Sequence, residues 1–164
     1  MADALDADSV RRVRQALVDA GAGDKVRELA ATARSARDAA TALGCELGAI
    51  VKSLVFVVGE APVLALVAGD RQCDEAALGR ILNVAGGVRR GNADAVRQAT
   101  GFAIGGVSPV GLKTRLPCAI DVGLKRFETV WAAAGHPHCV FPTTVDELKR
   151  LTGGIVSYAL ARDG

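Results

Sequence analysis

Two apolar segments joined by a four-residue turn constrain the fold of this chain more than any other feature. Residues 50–58 are Ile-Val-Lys-Ser-Leu-Val-Phe-Val-Val, and residues 63–68 are Val-Leu-Ala-Leu-Val-Ala. Such β-branched and aliphatic runs favour strands, and the Gly-Glu-Ala-Pro between them favours a turn. The pattern therefore predicts a β-hairpin, and its continuous apolar character predicts strands buried on both faces at the centre of a sheet.

Segments with helical spacing and shorter apolar segments surround this hairpin. Apolar periodicity and capping residues predict helices over 9–20 capped by Ser9, 35–43 capped by Ser35, 74–82 capped by Asp74, 92–100 capped by Asn92, and 145–151 capped by Thr143. Short strands are predicted at 88–90, 119–122, 128–134, 139–141 and 155–160, and residues 25–31 fit either a strand or a helix. The intermixed order predicts an α+β fold with one mixed, largely antiparallel sheet of about six to seven strands flanked by helices. The length fits one domain over residues 1–164, in which residues 1–34 supply an N-terminal helical segment.

The charge balance argues against a protein that coats nucleic acid. Twenty Lys and Arg residues oppose eighteen Asp and Glu residues, which gives a formal net charge of +2. Basic residues form only short clusters that a solvated surface explains, so we expect no DNA partner and at most local contact with RNA.

Targeting and cysteine patterns favour a cytoplasmic protein. The chain has neither an apolar signal segment nor an apolar run of about eighteen residues, so we expect no membrane partner and a cytoplasmic location. The four cysteines include no CxxC pair, which argues against a zinc ribbon or a thioredoxin-type site. In the cytoplasm they are expected to stay reduced.

Lys52 is the charged residue inside the first strand of the hairpin. One interpretation is a side chain that lays its stem on apolar surface and keeps its ammonium in water. The other is a lysine on a rigid strand that enters a pocket, where it binds a phosphate or stabilises developing negative charge. Ser53 is expected to point to the opposite face of the strand.

A glycine-rich loop follows the predicted fourth helix. Residues 101–111 are Gly-Phe-Ala-Ile-Gly-Gly-Val-Ser-Pro-Val-Gly. Glycine lets backbone amides approach a ligand and proline fixes the shape, so the loop can bind an oxyanion or can be an ordinary irregular turn. The loop lacks the GxGxxG pattern of a dinucleotide site, and the chain lacks the Gly-x-Ser-x-Gly elbow of a Ser-His-Asp hydrolase.

A second polar cluster is His136-Pro137-His138-Cys139. It offers too few ligands for a structural metal site, and strand alternation sends His138 and Cys139 to opposite faces, so we expect neither a metal nor another cofactor. The histidines are then solvated, or they reach a bound carbonyl or ribose. Asp121, an acid within a short apolar segment, either orients the loop or faces solvent.

The order of these segments resembles the YbaK and prolyl-tRNA-synthetase-associated domain family of trans-editing aminoacyl-tRNA deacylases. The resemblance covers about residues 35–160 and rests on the lysine strand and the Gly-Gly-Val-Ser-Pro loop, about fifty residues apart. The matching segments are Ala-Leu-Gly-Cys-Glu-Leu-Gly-Ala-Ile-Val-Lys-Ser-Leu-Val-Phe at 42–56, the loop at 101–111, Leu116-Pro117 with Asp121, Ala134-Gly135, and Leu-Lys-Arg-Leu-Thr-Gly at 148–153.

The resemblance implies one pocket between sheet and helices, and hydrolysis of the ester that joins a small amino acid to the terminal adenosine of tRNA. Lys52 matches the family's essential lysine, which engages the terminal nucleotide. The segment from Gly105 to Pro109 matches the loop whose backbone amides face the substrate carbonyl. Catalytic roles are therefore implied for Lys52, Gly105, Gly106 and Ser108, and substrate contacts for Ser53, Val107, Pro109, Asp121, Gly135, His136 and His138. Similar enzymes use water or a substrate hydroxyl as the nucleophile, so no protein nucleophile is implied.

One segment departs from the cysteinyl-tRNA(Pro) deacylase branch of this family. In that branch a Gly-Lys-Arg-Gly-type turn leads to an aspartate, whereas this chain has Gly135-His-Pro-His138 and places Val140 where the acid stands. The departure argues against cysteine and favours the freestanding subfamilies, whose amino acids include alanine, serine, threonine and proline analogues. Two alternatives stay open: a non-catalytic module that binds tRNA or a synthetase, and a hydrolase of free aminoacyl esters or nucleotides.

Overall fold

The computed structural model describes residues 4–30, 33 and 35–164. The helices in these ranges are α1 (Asp8–Asp19), α2 (Ala36–Leu43), α3 (Leu78–Leu82), α4 (Ala93–Thr100) and α5 (Val145–Thr152). The strands are β1 (Arg27–Glu28), β2 (Val51–Val58), β3 (Ala61–Ala68), β4 (Arg71–Cys73), β5 (Val88–Arg90), β6 (Cys118–Asp121), β7 (Val130–Ala133), β8 (Cys139–Thr143), β9 (Ile155–Ser157) and β10 (Ala161–Asp163). The ambiguous segment at 25–31 thus contains a two-residue strand, and its last residue lies outside the described ranges.

The predicted hairpin is confirmed and forms the centre of the main sheet. This sheet has the strand order β5-β2-β3-β6-β9. β2 and β3 are antiparallel from Val51 opposite Ala68 to Val58 opposite Ala61, whereas β6 and β9 add in parallel. The α+β class is therefore confirmed, with both hairpin strands inside the sheet.

The strands are divided among three sheets, whereas the sequence pattern suggested one sheet. A small antiparallel sheet has the order β1-β8-β7, and β10 pairs with β4 in a two-stranded ribbon. The predicted strand at 155–160 ends at Ser157, and a separate strand begins at Ala161. Its partner β4 is Arg-Gln-Cys, which has no apolar pattern that a sequence could reveal.

Two predicted helix caps are confirmed and three are wrong. The side chains of Ser35 and Asn92 accept bonds from the amides of Asp38 and Ala95. Three other helix starts lack the predicted cap. Ala7 precedes α1, so Ser9 lies inside that helix, and Asp74 precedes a 3-10 turn and makes no cap bond. At α5 the residue that accepts from the amide of Glu147 is Thr144 and not Thr143. The hydroxyl of Thr143 instead bonds to the carboxylate of Glu147 at 2.7 Å.

The main sheet separates two apolar clusters. Helices α1, α4 and α5 and the β1-β8-β7 sheet pack on the face that carries Val51 and Val55. Helix α3 and the β4–β10 ribbon pack on the face that carries Phe56 and Val58. Alternate residues of β2 therefore face different layers, as predicted for Lys52 and Ser53. Within the described ranges, no helix combines the length and the apolar character needed to cross a bilayer.

Candidate active site at the edge of β2

A cavity of about 370 Å³ lies beside the first half of β2. β5 covers this edge of β2 from Phe56 to Val58, and the cavity begins where β5 ends. We call it the edge cavity. It is lined by Ser35, Ala36, Ala39, Ile50, Val51, Lys52, Ser53, Leu54, Arg90, Ile104, Gly105, Val107, Trp131, Ala133, Pro137 and Val140. Most of these side chains are apolar, so the cavity offers a largely hydrophobic wall with a few polar groups.

Lys52 and the glycine-rich loop both contribute to this cavity, but they lie on opposite faces of β2. Lys52 and Gly105 both line it. The Lys52 side chain also lines a larger cavity of about 570 Å³ on the β4 side, together with Gln72 and Cys73.

The Lys52 ammonium donates a hydrogen bond to the carbonyl of Arg71 on the β4 side of the sheet. Burial lowers the pKa of Lys52, an effect strengthened by Arg90 and opposed by the carboxylates of Asp70 and Asp121. A partly desolvated ammonium interacts with an anion more strongly than one in bulk water.

Ser53 lies on the loop side of β2. Its hydroxyl oxygen is buried and has no hydrogen-bond partner among the described residues. At this edge of β2 the Val55 carbonyl accepts a hydrogen bond from the Gly91 amide. Residues two apart in a strand point their backbone groups to the same side, so the backbone N–H and C=O of Ser53 also point toward this edge. The Ser53 hydroxyl lacks a partner among the described residues, and the ladder with β5 does not extend to Ser53.

The loop contributes Gly105 and Val107 to the cavity lining, and its backbone amides differ in whether they are already bonded. The Gly106 amide donates to the carbonyl of Ala103 at 3.0 Å and is thus engaged within the loop. Among the described residues, no hydrogen bond occupies the amides of Gly105 or Val107, and both residues line the cavity. Gly105 has a φ of +91°, which a residue with a side chain adopts at a cost of about 1–3 kcal/mol.

Helix α1 fixes both ends of this loop. Arg12 donates to the carbonyl of Gly111 at 2.8 Å, and its guanidinium lies 4.6 Å from the ring centroid of Phe102. Gly106 packs on the neighbouring turn, where a Cβ atom would approach the amide nitrogen of His136 to 3.0 Å. The loop is therefore held by packing and side-chain bonds, as a preorganised donor site requires.

Ser108 and Pro109 shape the loop and do not line the edge cavity. Ser108 is fully buried, and its hydroxyl accepts from the Val110 amide at 3.1 Å. Pro109 lines a separate apolar cavity of about 210 Å³ between α1 and α5. Both residues support the backbone from behind.

We expect Ser108→Ala to lower the free energy of unfolding by about 1–2 kcal/mol, because only the Val110 amide loses a partner. Urea denaturation measures the effect. A variant as stable as the wild type would show that this hydrogen bond does not support the loop.

Asp121 is buried and lies away from the edge cavity lining. Its carboxylate accepts from the amides of Ala68 at 3.1 Å and Gly123 at 2.8 Å. Its other neighbour is Arg71, whose Nε lies 3.4 Å from Oδ2 without the geometry of a hydrogen bond. The carboxylate therefore connects β3, β6 and β4 and does not face solvent.

The turn at 135–138 borders the cavity through Pro137. Gly135 has a φ of +94°, and its carbonyl accepts from the Ser9 hydroxyl at 2.8 Å. His136 Nδ1 accepts from the His138 amide at 3.0 Å, so a neutral His136 carries its proton on Nε2. Burial raises the pKa of the Cys139 thiol to about 11, which disfavours the thiolate that metals bind. The described residues contain no group of three or more candidate metal ligands.

Sequence reasoning missed several of the residues that line this cavity. Trp131 and Ala133 line the cavity from β7, Arg90 from the end of β5, and Ile104 from the loop. In the structure β7 alternates core and cavity residues, since Val130 and Ala132 are fully buried, but its sequence Val-Trp-Ala-Ala is apolar throughout and does not show this alternation. The contribution of α2, through Ser35, Ala36 and Ala39, depends on tertiary packing and has no local signal.

The fold and the cavity define a small α+β domain with a cavity between a central sheet edge and a glycine-rich loop. The model of the aminoacyl-tRNA editing domain matches residues 30–151. The chain belongs to this family.

Three similar proteins illustrate the membership. A solved structure described as a candidate trans-editing enzyme for prolyl tRNA synthetase has 43% identity and a TM-score of 0.88, over 96% of this chain and 99% of that one. The uncharacterised protein YwhH of Bacillus subtilis is 30% identical over 94% of this chain and 98% of its own length. The proline–tRNA ligase of Geobacter sulfurreducens is 35% identical over 64% of this chain, and the matched region covers 18% of that ligase.

Proposed function

We propose that this chain hydrolyses the ester bond of a misacylated tRNA that carries a small amino acid. Membership of the editing family supports deacylation of mischarged tRNA. The observation that carries the proposal for this chain is that Lys52, Ser53, Gly105 and Val107 line one cavity. The activity belongs to a single cytoplasmic domain over residues 1–164, whose partners are the 3′ end of aminoacyl-tRNA and a synthetase that produces the mischarged species.

The loop amides supply the electrostatic part of the mechanism. Water, or a hydroxyl of the substrate ribose, adds to the ester carbonyl carbon. The amides of Gly105 and Val107 donate to the oxyanion that forms, and removal of one such donor in other enzymes costs about a hundredfold or more. The carbon–oxygen bond to the terminal ribose then breaks, and the ribose oxygen takes up a proton. When water attacks, the amino acid leaves as a carboxylate; when a ribose hydroxyl attacks, the new ester is hydrolysed afterwards.

Lys52 and His136 hold the substrate in this account. Lys52 leaves the Arg71 carbonyl when a phosphate of the terminal nucleotide arrives, because an anion is a better partner than a neutral carbonyl for an ammonium. His136 does not itself line the cavity, but it adjoins Pro137, which does. We propose that its Nε2 proton reaches a carbonyl or hydroxyl oxygen of the substrate, with the ring oriented by the bond at Nδ1. His138 stands beside it, with the two ring centroids 5.2 Å apart.

The lining favours a small, largely apolar amino acid. Val107, Ala133, Pro137 and Val140 offer no polar atom on their side chains that would read a thiol or a hydroxyl. An apolar pocket discriminates by size, which gives about 10–200-fold per methylene group. Small side chains are therefore preferred over larger ones, whereas an added hydroxyl on a side chain of similar size is not strongly rejected.

Deacylation of a panel of mischarged tRNAs by the purified protein tests the proposal. We expect turnover of at least one small aminoacyl-tRNA, and slower release of the same amino acid from a free adenosine ester. Binding of tRNA without turnover of any member would favour the non-catalytic module. Equal turnover of the free ester would favour a hydrolase that does not depend on tRNA.

We expect Ser53→Ala to raise KM for the aminoacyl-tRNA by about tenfold while leaving the free protein as stable as wild type or slightly more stable. The reason is that the hydroxyl is buried without a partner in the free protein and gains one from the substrate. Steady-state kinetics and thermal unfolding measure the two effects. An unchanged KM would remove Ser53 from the proposed contacts.

A further inference from the structure

The β1-β8-β7 sheet carries one aromatic side chain toward the edge cavity. Along β7, Val130 and Ala132 are fully buried in the core, whereas Trp131 and Ala133 are half-buried on the opposite face. Trp131 pairs with Pro142, and Ala133 pairs with Val140, which also lines the cavity. Paired residues share a face of the sheet, so this face turns toward the cavity.

Trp131 lies next to the groups that define the proposed site. It forms a parallel bridge with Ile50, two residues before Lys52, and it lines the cavity together with Lys52 and Gly105. The guanidinium of Arg27, from β1, lies 5.0 Å from the centroid of its ring. A half-buried indole beside an exposed guanidinium presents π surface and positive charge at the same place.

Other aromatic residues in the described ranges are placed differently. Phe102 and Phe141 are buried in the core, and Phe56 faces the opposite side of the sheet. Phe127 packs against the guanidinium of Arg126 and does not line the edge cavity. Tyr158 is 87% exposed and does not line the edge cavity. Trp131 is thus the aromatic side chain that lines the edge cavity in the part of the chain that the structure describes.

We propose that Trp131, together with Arg27, binds the terminal adenine base of the tRNA substrate by stacking. The inference rests on the proposed function and adds the group that recognises the nucleoside. A cavity of about 370 Å³ falls in the range of sites for small-molecule ligands, roughly 300–1,000 Å³, and has room for more than a small amino-acid side chain. Stacking suits this task because every tRNA ends in the same base, and aromatic and guanidinium planes both stack on bases.

Intrinsic fluorescence measures the stacking directly, because Trp131 is the single tryptophan of the sequence. The wild-type protein is titrated with adenosine 5′-monophosphate and, as a control without a base, with ribose 5-phosphate. We expect saturable quenching with the nucleotide and none with the sugar phosphate. Equal quenching by both probes, or nucleotide binding by calorimetry without quenching, would overturn the inference.

Two substitutions separate stacking from simple packing. Trp131→Phe keeps an aromatic face, and Trp131→Leu keeps apolar volume without one. We expect KM for aminoacyl-tRNA to rise by about tenfold in Trp131→Leu and to change by less than about threefold in Trp131→Phe, with kcat little changed in both. Equal KM values in the two variants would identify Trp131 as an apolar wall for the amino-acid side chain and would overturn the inference.

The outcomes also separate this inference from the proposed function. Base-dependent quenching in a protein that hydrolyses no aminoacyl-tRNA would contradict the proposed reaction and leave the adenine site in place. Full deacylase activity in the absence of base-dependent quenching would contradict the adenine site and leave the reaction in place. Thermal unfolding of both variants shows whether a changed KM reflects a changed fold.

Discussion

Lys52→Ala is expected to lower kcat/KM for deacylation by about a hundredfold or more, because the proposed site loses the cation that holds the terminal nucleotide beside the loop amides. The fold should survive, since Lys52 contributes one hydrogen bond, to the carbonyl of Arg71. Single-turnover deacylation and far-ultraviolet circular dichroism measure the two effects on the same samples.

Two further variants give this prediction its controls. Lys149→Ala removes an exposed lysine from α5 and lowers the net charge by the same amount, and we expect near wild-type turnover. Lys52→Arg keeps the charge with a different shape, and we expect partial activity. Wild-type turnover in Lys52→Ala would exclude the lysine from the reaction.

Asp121→Ala is expected to lower the free energy of unfolding by about 3–5 kcal/mol, the usual cost of removing one partner of a buried ionic group. The substitution leaves the amides of Ala68 and Gly123 without their acceptor. It also leaves the Arg71 guanidinium without its buried carboxylate neighbour. Urea denaturation measures the effect.

The matched control is a substitution of Asp163, a surface acid that also contacts Arg71. Oδ1 of Asp163 lies 3.5 Å from Nη1 of Arg71, and the Asp163 side chain is 94% exposed. We expect Asp163→Ala to change stability very little, since exposed ion pairs are screened by solvent. Similar losses in the two variants would show that the buried position of Asp121 does not matter. A stable Asp121→Ala protein with a selective rise in KM would instead return this residue to the substrate contacts.

The fold was predictable where local signals were strong. The hairpin was predictable from the sequence because its sixteen paired residues, eight in each of β2 and β3, are almost all apolar. Ser35 and Asn92 identified helix starts because a short polar side chain before an amphipathic segment favours a cap. The β4–β10 ribbon was not predictable from the sequence. Its two strands have three residues each and lack a continuous apolar pattern, so only their pairing in the folded protein defines them.

The candidate site was predictable in outline, and its details depend on packing. Lys52 and the glycine-rich loop were evident from residue types that are unusual in their context. The hydrogen bond from the Gly106 amide to the Ala103 carbonyl was not evident, because it depends on the turn that the loop adopts. Ser9 resembled a helix cap, but tertiary contact turned its hydroxyl toward Gly135.

The most direct test is a crystal structure with 3′-alanylamino-3′-deoxyadenosine, in which an amide replaces the ester that would be cleaved. We expect the carbonyl oxygen of the analogue to lie within hydrogen-bond distance of the Gly105 or Val107 amide, with the alanine side chain near Val107. The Lys52 ammonium should have left the Arg71 carbonyl if the analogue carries a 5′-phosphate. An analogue bound in the apolar cavity behind Pro109, or on the opposite face of the sheet, would contradict the placement of the reaction at the edge of β2.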